Sequence, residues 1–128
     1  MMERALHELL KNLCGGRVYA LRAPQNSPSP FLIFQRIESE RWRSIDSPSG
    51  IAQATVQVDA YGEKYYDAKD LAAQAETILD GYRGTVAYTG GSTRIAGISL
   101  QSDSDLIDQT DEPLLFRNTA LYLVTFQQ

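Results

Sequence analysis

The sequence has few of the residues that build disulfides, metal centres or nucleophilic sites. It contains one cysteine and one histidine in 128 residues. Cys14 therefore has no internal disulfide partner, which fits a reducing compartment. His7 has no second histidine or cysteine at ligand spacing. We interpret Cys14 as a small, half-buried side chain at a helix end and His7 as a boundary residue, and we expect no metal and no cofactor.

Long apolar runs are missing as well. No stretch approaches the ~18 residues that a membrane span needs, and no basic region followed by an apolar core marks a secretion signal at the N-terminus. The net charge of −4 argues against a protein that holds nucleic acid through its phosphates, although an acidic surface could face DNA that slides past it. The sequence predicts a soluble, cytoplasmic product with no membrane partner and no specific nucleic-acid binding.

Residues 51–84 carry the clearest pattern in the chain. Residues 51–61 alternate apolar and polar side chains, which predicts a strand with one buried face. After Gly62 the period becomes helical, and Gly81 can end the helix in a left-handed conformation. The apolar stripe of this helix consists of Ala68, Leu71, Ala72, Ala75, Ile78 and Leu79. Small side chains on both elements would let the two backbones approach closely, so we expect this pair to form the core.

The remaining segments predict an α+β domain that spans residues 1–128. Leucines at helical spacing indicate a helix over residues 2–13. Strands are predicted at residues 17–20, 31–38, 94–100 and 115–126, with a brief extension at 85–89. A long, mobile hairpin loop is expected at residues 39–50 and an acidic loop at 101–114. This order favours a mostly antiparallel, four- to five-stranded sheet with two helices packed on one face.

No constellation of catalytic residues can be assembled. The sequence from Asp103 to Asp105 opens like a calcium loop, but the sixth and twelfth positions lack the required glycine and glutamate. Asp59, on the polar face of its strand, has no identifiable partner for acid–base chemistry, and we expect it to be solvated. Residues 90–93 lack the lysine of a phosphate loop. The sequence therefore predicts a protein that is not an enzyme.

Two predicted loops carry opposite charge and are the candidate interface. Tryptophan and arginine are residues that anchor protein interfaces, although a lone tryptophan can equally pack against its own sheet. The basic loop of one subunit could meet the acidic loop of its neighbour. Charge reversal at the two arginines would then disrupt assembly, and reversal at the first two aspartates would restore it. The candidate residues are Arg41, Trp42, Arg43, Asp103, Asp105 and Asp108.

Several segments resemble the tail-completion family of tailed bacteriophages and prophages, whose members are small head–tail joining or tail-terminator proteins. The segments that carry the resemblance are residues 17–25, 30–37, 56–62, 66–72 and 79–84. The resemblance covers nearly the whole chain and is strongest over residues 54–84. Its motifs are structural rather than catalytic.

The resemblance implies an α+β subunit that assembles as a homo-oligomeric ring, expected to be a hexamer, at the end of the tail tube. There it would stop tube polymerisation and contact tail-tube and head-connector proteins, with DNA passing through the ring. The implied location is the virion tail, and the host bacterial cytoplasm during assembly. Two alternatives stay open: a small-ligand-binding or enzymatic α+β domain with a site between sheet and loops, and another head–tail connector or tail-tube subunit.

Overall fold

The computed structural model describes residues 2–24, 28–43, 48–109 and 115–127. Over these residues the chain forms two α-helices, one short 3-10 helix and six strands. In chain order they are α1 (Met2–Leu10), the 3-10 helix (Leu13–Gly16), β1 (Val18–Ala20), β2 (Phe31–Arg43), β3 (Pro48–Gly62), α2 (Tyr65–Leu79), β4 (Gly84–Tyr88), β5 (Gly91–Gln109) and β6 (Leu115–Gln127). Within this part of the chain, neither α-helix is long and apolar enough to cross a bilayer.

The strands form one curled sheet, a half-barrel, in the order β1-β2-β3-β6-β5-β4. Strand β1 runs parallel to β2, and the other neighbouring pairs are antiparallel. The mostly antiparallel sheet of four to five strands predicted from the sequence is wrong, because the sheet is mixed and has six strands. Strand β1 has three residues and pairs with β2 in the parallel direction. The alternation of polar and apolar side chains alone does not reveal such a pairing.

The predicted acidic loop is a second correction to the sheet. Strand β5 continues through residues 101–109 of this segment and pairs with β6 there, whereas residues 110–114 of the predicted loop lie outside the described residues. Strand β4 pairs with the first five residues of β5, from Gly91 to Ile95, and the next residues bond Gly81 and Asp80 through Ile98 and Leu100. Among the described strands, none pairs with the outer side of β5 from residue 101 to 109, so this part is an edge strand. Charged residues on such an edge prevent pairing with a further strand. Residues 101–109 therefore form a solvated strand rather than part of a loop.

The predicted hairpin loop at residues 39–50 is shorter than expected. Strand β2 continues past Glu38 to Arg43, and β3 begins at Pro48. The ladder between these strands contains register shifts after Arg36 and Arg41. Such bulges interrupt the alternation of polar and apolar side chains, which is why the sequence pattern ended the strand too early. Residues 44–47 of the predicted loop lie outside the described residues.

The predicted packing of helix α2 against strand β3 is confirmed. Ala54 and Val56 of β3 and Ala75 of α2 are each 1% exposed and belong to one hydrophobic cluster. The turn between the two elements requires glycine at position 62, since a Cβ there would lie 2.9 Å from the backbone nitrogen of Ala68. The helix thus starts directly beneath the end of its strand.

Helix α1 closes the open side of the half-barrel. It contacts β1 and β4, which are the two edge strands of the sheet. Met2, Ala5, Leu6 and Leu10 are buried, as expected for an amphipathic helix that covers an apolar gap. The α-helix ends at Leu10, three residues earlier than predicted, and the chain then turns through the 3-10 helix.

Candidate functional site

Strands β3 and β6 give the sheet two distinct ends. Their pairing runs from Ile51 opposite Gln127 to Gly62 opposite Phe116, a separation of about 36 Å along an extended strand. We call the first the hairpin end, because the β2–β3 hairpin closes there. We call the second the acidic end, because the acidic part of β5 lies there.

The basic candidates lie at the hairpin end. Arg41 stands opposite Ala52, and Arg43 opposite Pro48. The backbone of residues 41–43 therefore forms the C-terminal end of β2. The side chains of Arg41, Trp42 and Arg43 are outside the described part of the structure. Their location follows from the strand register alone.

The acidic candidates lie at the other end of the sheet. Asp103 stands opposite Ala120 and Asp105 opposite Asn118, and both aspartates are exposed. Asp108 belongs to the same strand, but its side chain is outside the described part. The basic and acidic candidates are therefore far apart within one chain, and any direct meeting between them requires two chains.

The Asp105 carboxylate lies at the centre of a network that links α2 to the sheet. It accepts hydrogen bonds from the Tyr65 hydroxyl at 2.9 Å, from Lys69 Nζ at 3.2 and 3.3 Å and from Asn118 Nδ2 at 2.7 Å. Asn118 is 2% exposed, so its amide is a buried donor that needs an acceptor. Asp105 thus has three donors within its own chain, a role that the sequence does not reveal because two of them come from a helix 36 and 40 residues away.

The network shifts the titration of its members. The hydrogen bond from Asn118, reinforced by those from Tyr65 and Lys69, holds the pKa of Asp105 below its ordinary value. The same carboxylate raises the pKa of Tyr65, by accepting its hydroxyl proton in a hydrogen bond, and raises the pKa of Lys69. Each shift favours the protonation state that keeps the network intact at neutral pH.

Replacing Asp105 with asparagine is expected to lower the free energy of unfolding by about 1–2 kcal/mol at pH 7, since a charge-assisted but partly exposed network is lost. The folded-state pKa of Asp105 is lowered, so its contribution is complete above the unfolded-state pKa and disappears as the pH falls through the folded value. The difference between the two proteins should therefore shrink below about pH 4. Urea denaturation at pH 7 and pH 3 measures both effects.

The matched control is Asp103→Asn, two residues away on the same strand and exposed. It is expected to change the free energy of unfolding by less than about 0.5 kcal/mol. Equal stabilities of the two variants at pH 7 would show that the network around Asp105 contributes nothing.

Exposed apolar side chains gather at the acidic end. Among the described residues, six large hydrophobic side chains are exposed, and four of them are Tyr65 (40%), Tyr66 (74%), Leu106 (36%) and Ile107 (53%). The Tyr65 ring packs edge-on against Tyr66 at 5.3 Å and against Phe116 at 6.0 Å. Ile107 stands opposite Phe116 in the ladder.

We call Tyr65, Tyr66, Ile107 and Phe116 the aromatic patch. Clustered exposed apolar groups mark interaction surfaces more often than single ones do. Sequence reasoning missed this patch, because the tyrosines were assigned only to the start of a helix and Ile107 to a loop. The only available signal was the pair of adjacent tyrosines at the start of the helix.

Asp59 is not solvated, contrary to the expectation. It is 5% exposed, and both of its carboxylate oxygens accept hydrogen bonds from Gln57 Nε2, at 2.9 and 3.1 Å. Arg117 Nη1 of the neighbouring strand lies 3.9 Å away. These contacts give Asp59 a structural role between β3 and β6. In residues 2–24, 28–43, 48–109 and 115–127, no group of three histidine, cysteine or carboxylate side chains is arranged to hold a metal ion.

A groove of about 760 Å³ lies between α1, β1 and the end of β4. His7, Tyr19, Phe34 and Tyr88 contribute to its walls, and Arg4 Nη1 donates a hydrogen bond to the carbonyl oxygen of Thr89 at 3.0 Å. A groove of this size is where the ligand-binding alternative would place its ligand.

Comparison with known proteins gives one family and two similar solved structures. The family model of tail completion protein gp17 matches residues 4–122. A chain from the virion of a native gene transfer agent particle is 14% identical and covers 96% of this chain and 84% of that chain, with a TM-score of 0.67. A second solved chain, of unstated function, is also 14% identical, covers 99% of this chain and 90% of that one, and has a TM-score of 0.56. A search of the curated proteins finds no significant match. At 14% identity the two structures show a shared fold.

Proposed function

We propose, from the premise that this chain belongs to the tail completion protein gp17 family, that its copies close into a ring at the end of a phage tail tube. The family establishes a structural role in tail completion. The ring, six copies as the sequence resemblance implies, would stop tube growth and join the tail to the head connector. Its proposed location is the virion tail, after assembly in the cytoplasm of the host.

The observation that carries the proposal is the difference between the two ends of the sheet. A closed ring needs a head-to-tail contact in which two different surfaces of the same chain meet. The hairpin end carries two arginines and a tryptophan, and the acidic end carries aspartates and the aromatic patch. The two ends of the sheet, about 36 Å apart along the strands, thus differ in the residues that the strand register places there.

Two further observations are compatible with a DNA-conducting ring. The net charge of −4 would let DNA pass through the ring without being held by its phosphates. The similar solved chain with the higher TM-score comes from a virion, so this fold occurs in a phage-like particle.

Light scattering over a concentration series should show a discrete assembly whose mass is an integral multiple of the 14.3 kDa chain, six-fold if the ring is a hexamer. Adding tail-tube protein should favour the assembly, because the ring would bind the end of the tube. Electron micrographs of the mixture should show short tubes capped at one end.

The alternatives give different results in the same experiment. A chain that stays at 14.3 kDa at every concentration and in the presence of tube protein, and that retains a copurified small molecule, would contradict the ring and favour ligand binding in the groove. Unlimited growth into tubes would indicate a tail-tube subunit instead.

A further inference from the structure

A small pocket lies between helix α2 and strands β5 and β6. Its volume is about 100 Å³, which is room for about three water molecules or for one compact polar group. The polar side chains among its lining residues are Lys69, Glu76, Asp103, Asn118 and Tyr122. These residues come from all three elements, so the folded chain itself builds the pocket.

Tyr122 brings a buried hydroxyl without a partner to this pocket. The residue is 2% exposed, and no described group of the chain forms a hydrogen bond with its hydroxyl. Burial raises the pKa of Tyr122, and the charges of Glu76, Asp80 and Asp103 raise it further, so the hydroxyl lies on the side of these carboxylates. Buried tyrosine hydroxyls normally have a hydrogen-bond partner. The pocket therefore contains a polar group that the described part of the chain leaves unsatisfied.

Two carboxylates give the pocket negative charge. Glu76 on α2 and Asp103 on β5 are both exposed, and neither forms an ion pair with a described residue. Lys69 also lines the pocket, but its Nζ lies 3.2 Å from Asp105, which does not line it. The last turn of α2 contains no basic residue, so the negative end of the helix dipole adds to this potential.

The available acceptors select an organic cation. Within the described residues, no group of three histidine, cysteine or carboxylate side chains could hold a metal ion. Guanidinium and ammonium groups need acceptors in several directions, because each carries several N–H donors. The carboxylates of Glu76 and Asp103 and the hydroxyl oxygen of Tyr122 provide three such acceptors.

We infer that this cation pocket, formed around Glu76, Asp103 and Tyr122, binds the head group of a lysine or arginine side chain from another protein chain. The two carboxylates accept charge-assisted hydrogen bonds from the head group, and the Tyr122 hydroxyl accepts a further one. An incoming side chain can reach the pocket because Glu76 and Asp103 are exposed at its mouth. That the other chain is a neighbouring tail protein rests on the proposed function.

Titration with methylguanidinium chloride tests the pocket directly. The chain is kept below its assembly concentration, and amide signals are followed by NMR. The signals of Glu76, Asp103 and Tyr122 should shift and saturate. Tetramethylammonium at the same ionic strength carries equal charge but no N–H donor, so it should give no saturating shift. Equal shifts with both cations, or no saturation with methylguanidinium, would overturn the pocket.

Two variants test the acceptors one at a time. Glu76→Gln should weaken methylguanidinium binding by about three- to tenfold, whereas Asp70→Asn, an equal change of charge at an exposed position of the same helix, should leave it unchanged. Tyr122→Phe should also weaken binding, but it should leave the melting temperature of the chain unchanged, because the hydroxyl has no partner to lose. A lower melting temperature with unchanged binding would overturn the role of Tyr122.

Assembly shows where the cation comes from. Glu76→Gln with Asp103→Asn should raise the concentration needed for half-assembly, alone or with tail-tube protein, by about tenfold or more. Glu63→Gln with Asp70→Asn removes the same charge from exposed positions that do not line the pocket, and it should have no effect. Spermidine, a free polyamine, should not replace the neighbouring chain.

The outcomes separate the pocket from the ring. Rings that ignore the Glu76 and Asp103 changes, while spermidine saturates the pocket, would overturn a neighbouring chain as the source and leave the ring standing. A wild-type chain that binds methylguanidinium but never assembles would overturn both the ring and that source.

Discussion

Replacing Leu6 with alanine is expected to lower the free energy of unfolding by about 3–4 kcal/mol, a large part of the 5–15 kcal/mol that stabilises a typical domain. Leu6 is 1% exposed and lies on α1, the helix that contacts both edge strands of the half-barrel. Truncation removes apolar contacts of Leu6 within the core cluster and leaves a cavity that its neighbours cannot fully close. Urea denaturation followed by tryptophan fluorescence or circular dichroism measures the change.

The control for this prediction is Leu9→Ala. The same change is made on the same helix, but Leu9 is only half-buried and should cost clearly less. Hydrogen exchange adds a local test. If the change loosens α1 from the strands that it contacts, the amides of β1 and β4 should exchange before those of the central strands β3 and β6. Equal losses for Leu6 and Leu9, with no difference among strands, would contradict the closing role of α1.

The parts of the fold that were predictable from the sequence are those in which local pattern and tertiary position agree. Strand β3 alternates because one face is covered by α2, and the stripe of α2 has a helical period because that face is buried. Ala68 and Ala75 are small side chains on the buried face of α2, and each is 1% exposed. Local pattern therefore identified this unit and its packing.

The features that the sequence did not reveal depend on partners distant in the chain. The second half of β5 is acidic, yet it is a strand, because β6 supplies its hydrogen bonds. The parallel pairing of β1 depends on β2, eleven or more residues later, and three residues are too few to show a period. Asp105 resembled a surface charge, but Asn118 and Tyr65 bind it. Where a sheet edge meets a helix end, the type of a residue alone therefore does not tell whether its side chain is free in solvent or bound to the rest of the chain.

Replacing Ala75 with leucine is expected to lower the free energy of unfolding by about 2–3 kcal/mol, because added carbon atoms must enter a closely packed helix–sheet contact. Ala75 is 1% exposed, between Leu71 and Leu79 on the buried face of α2. The approach is also close where the helix begins, since a Cβ at position 62 would lie 2.9 Å from the backbone nitrogen of Ala68. Chemical denaturation gives the change in stability.

Ala73→Leu provides the matched comparison for the Ala75 variant. Ala73 is exposed on the same helix, and leucine is nearly as good a helix former as alanine, so its stability should change by less than about 0.5 kcal/mol. A difference between the two variants isolates the packing cost from helix propensity. Equal stabilities would mean that α2 can shift away from β3, and the close approach of the two backbones would then not be what fixes the helix on the sheet. A shift of α2 would also displace Tyr65 from Asp105, so the Ala75 variant should lose the stabilising effect of that carboxylate only if the helix moves.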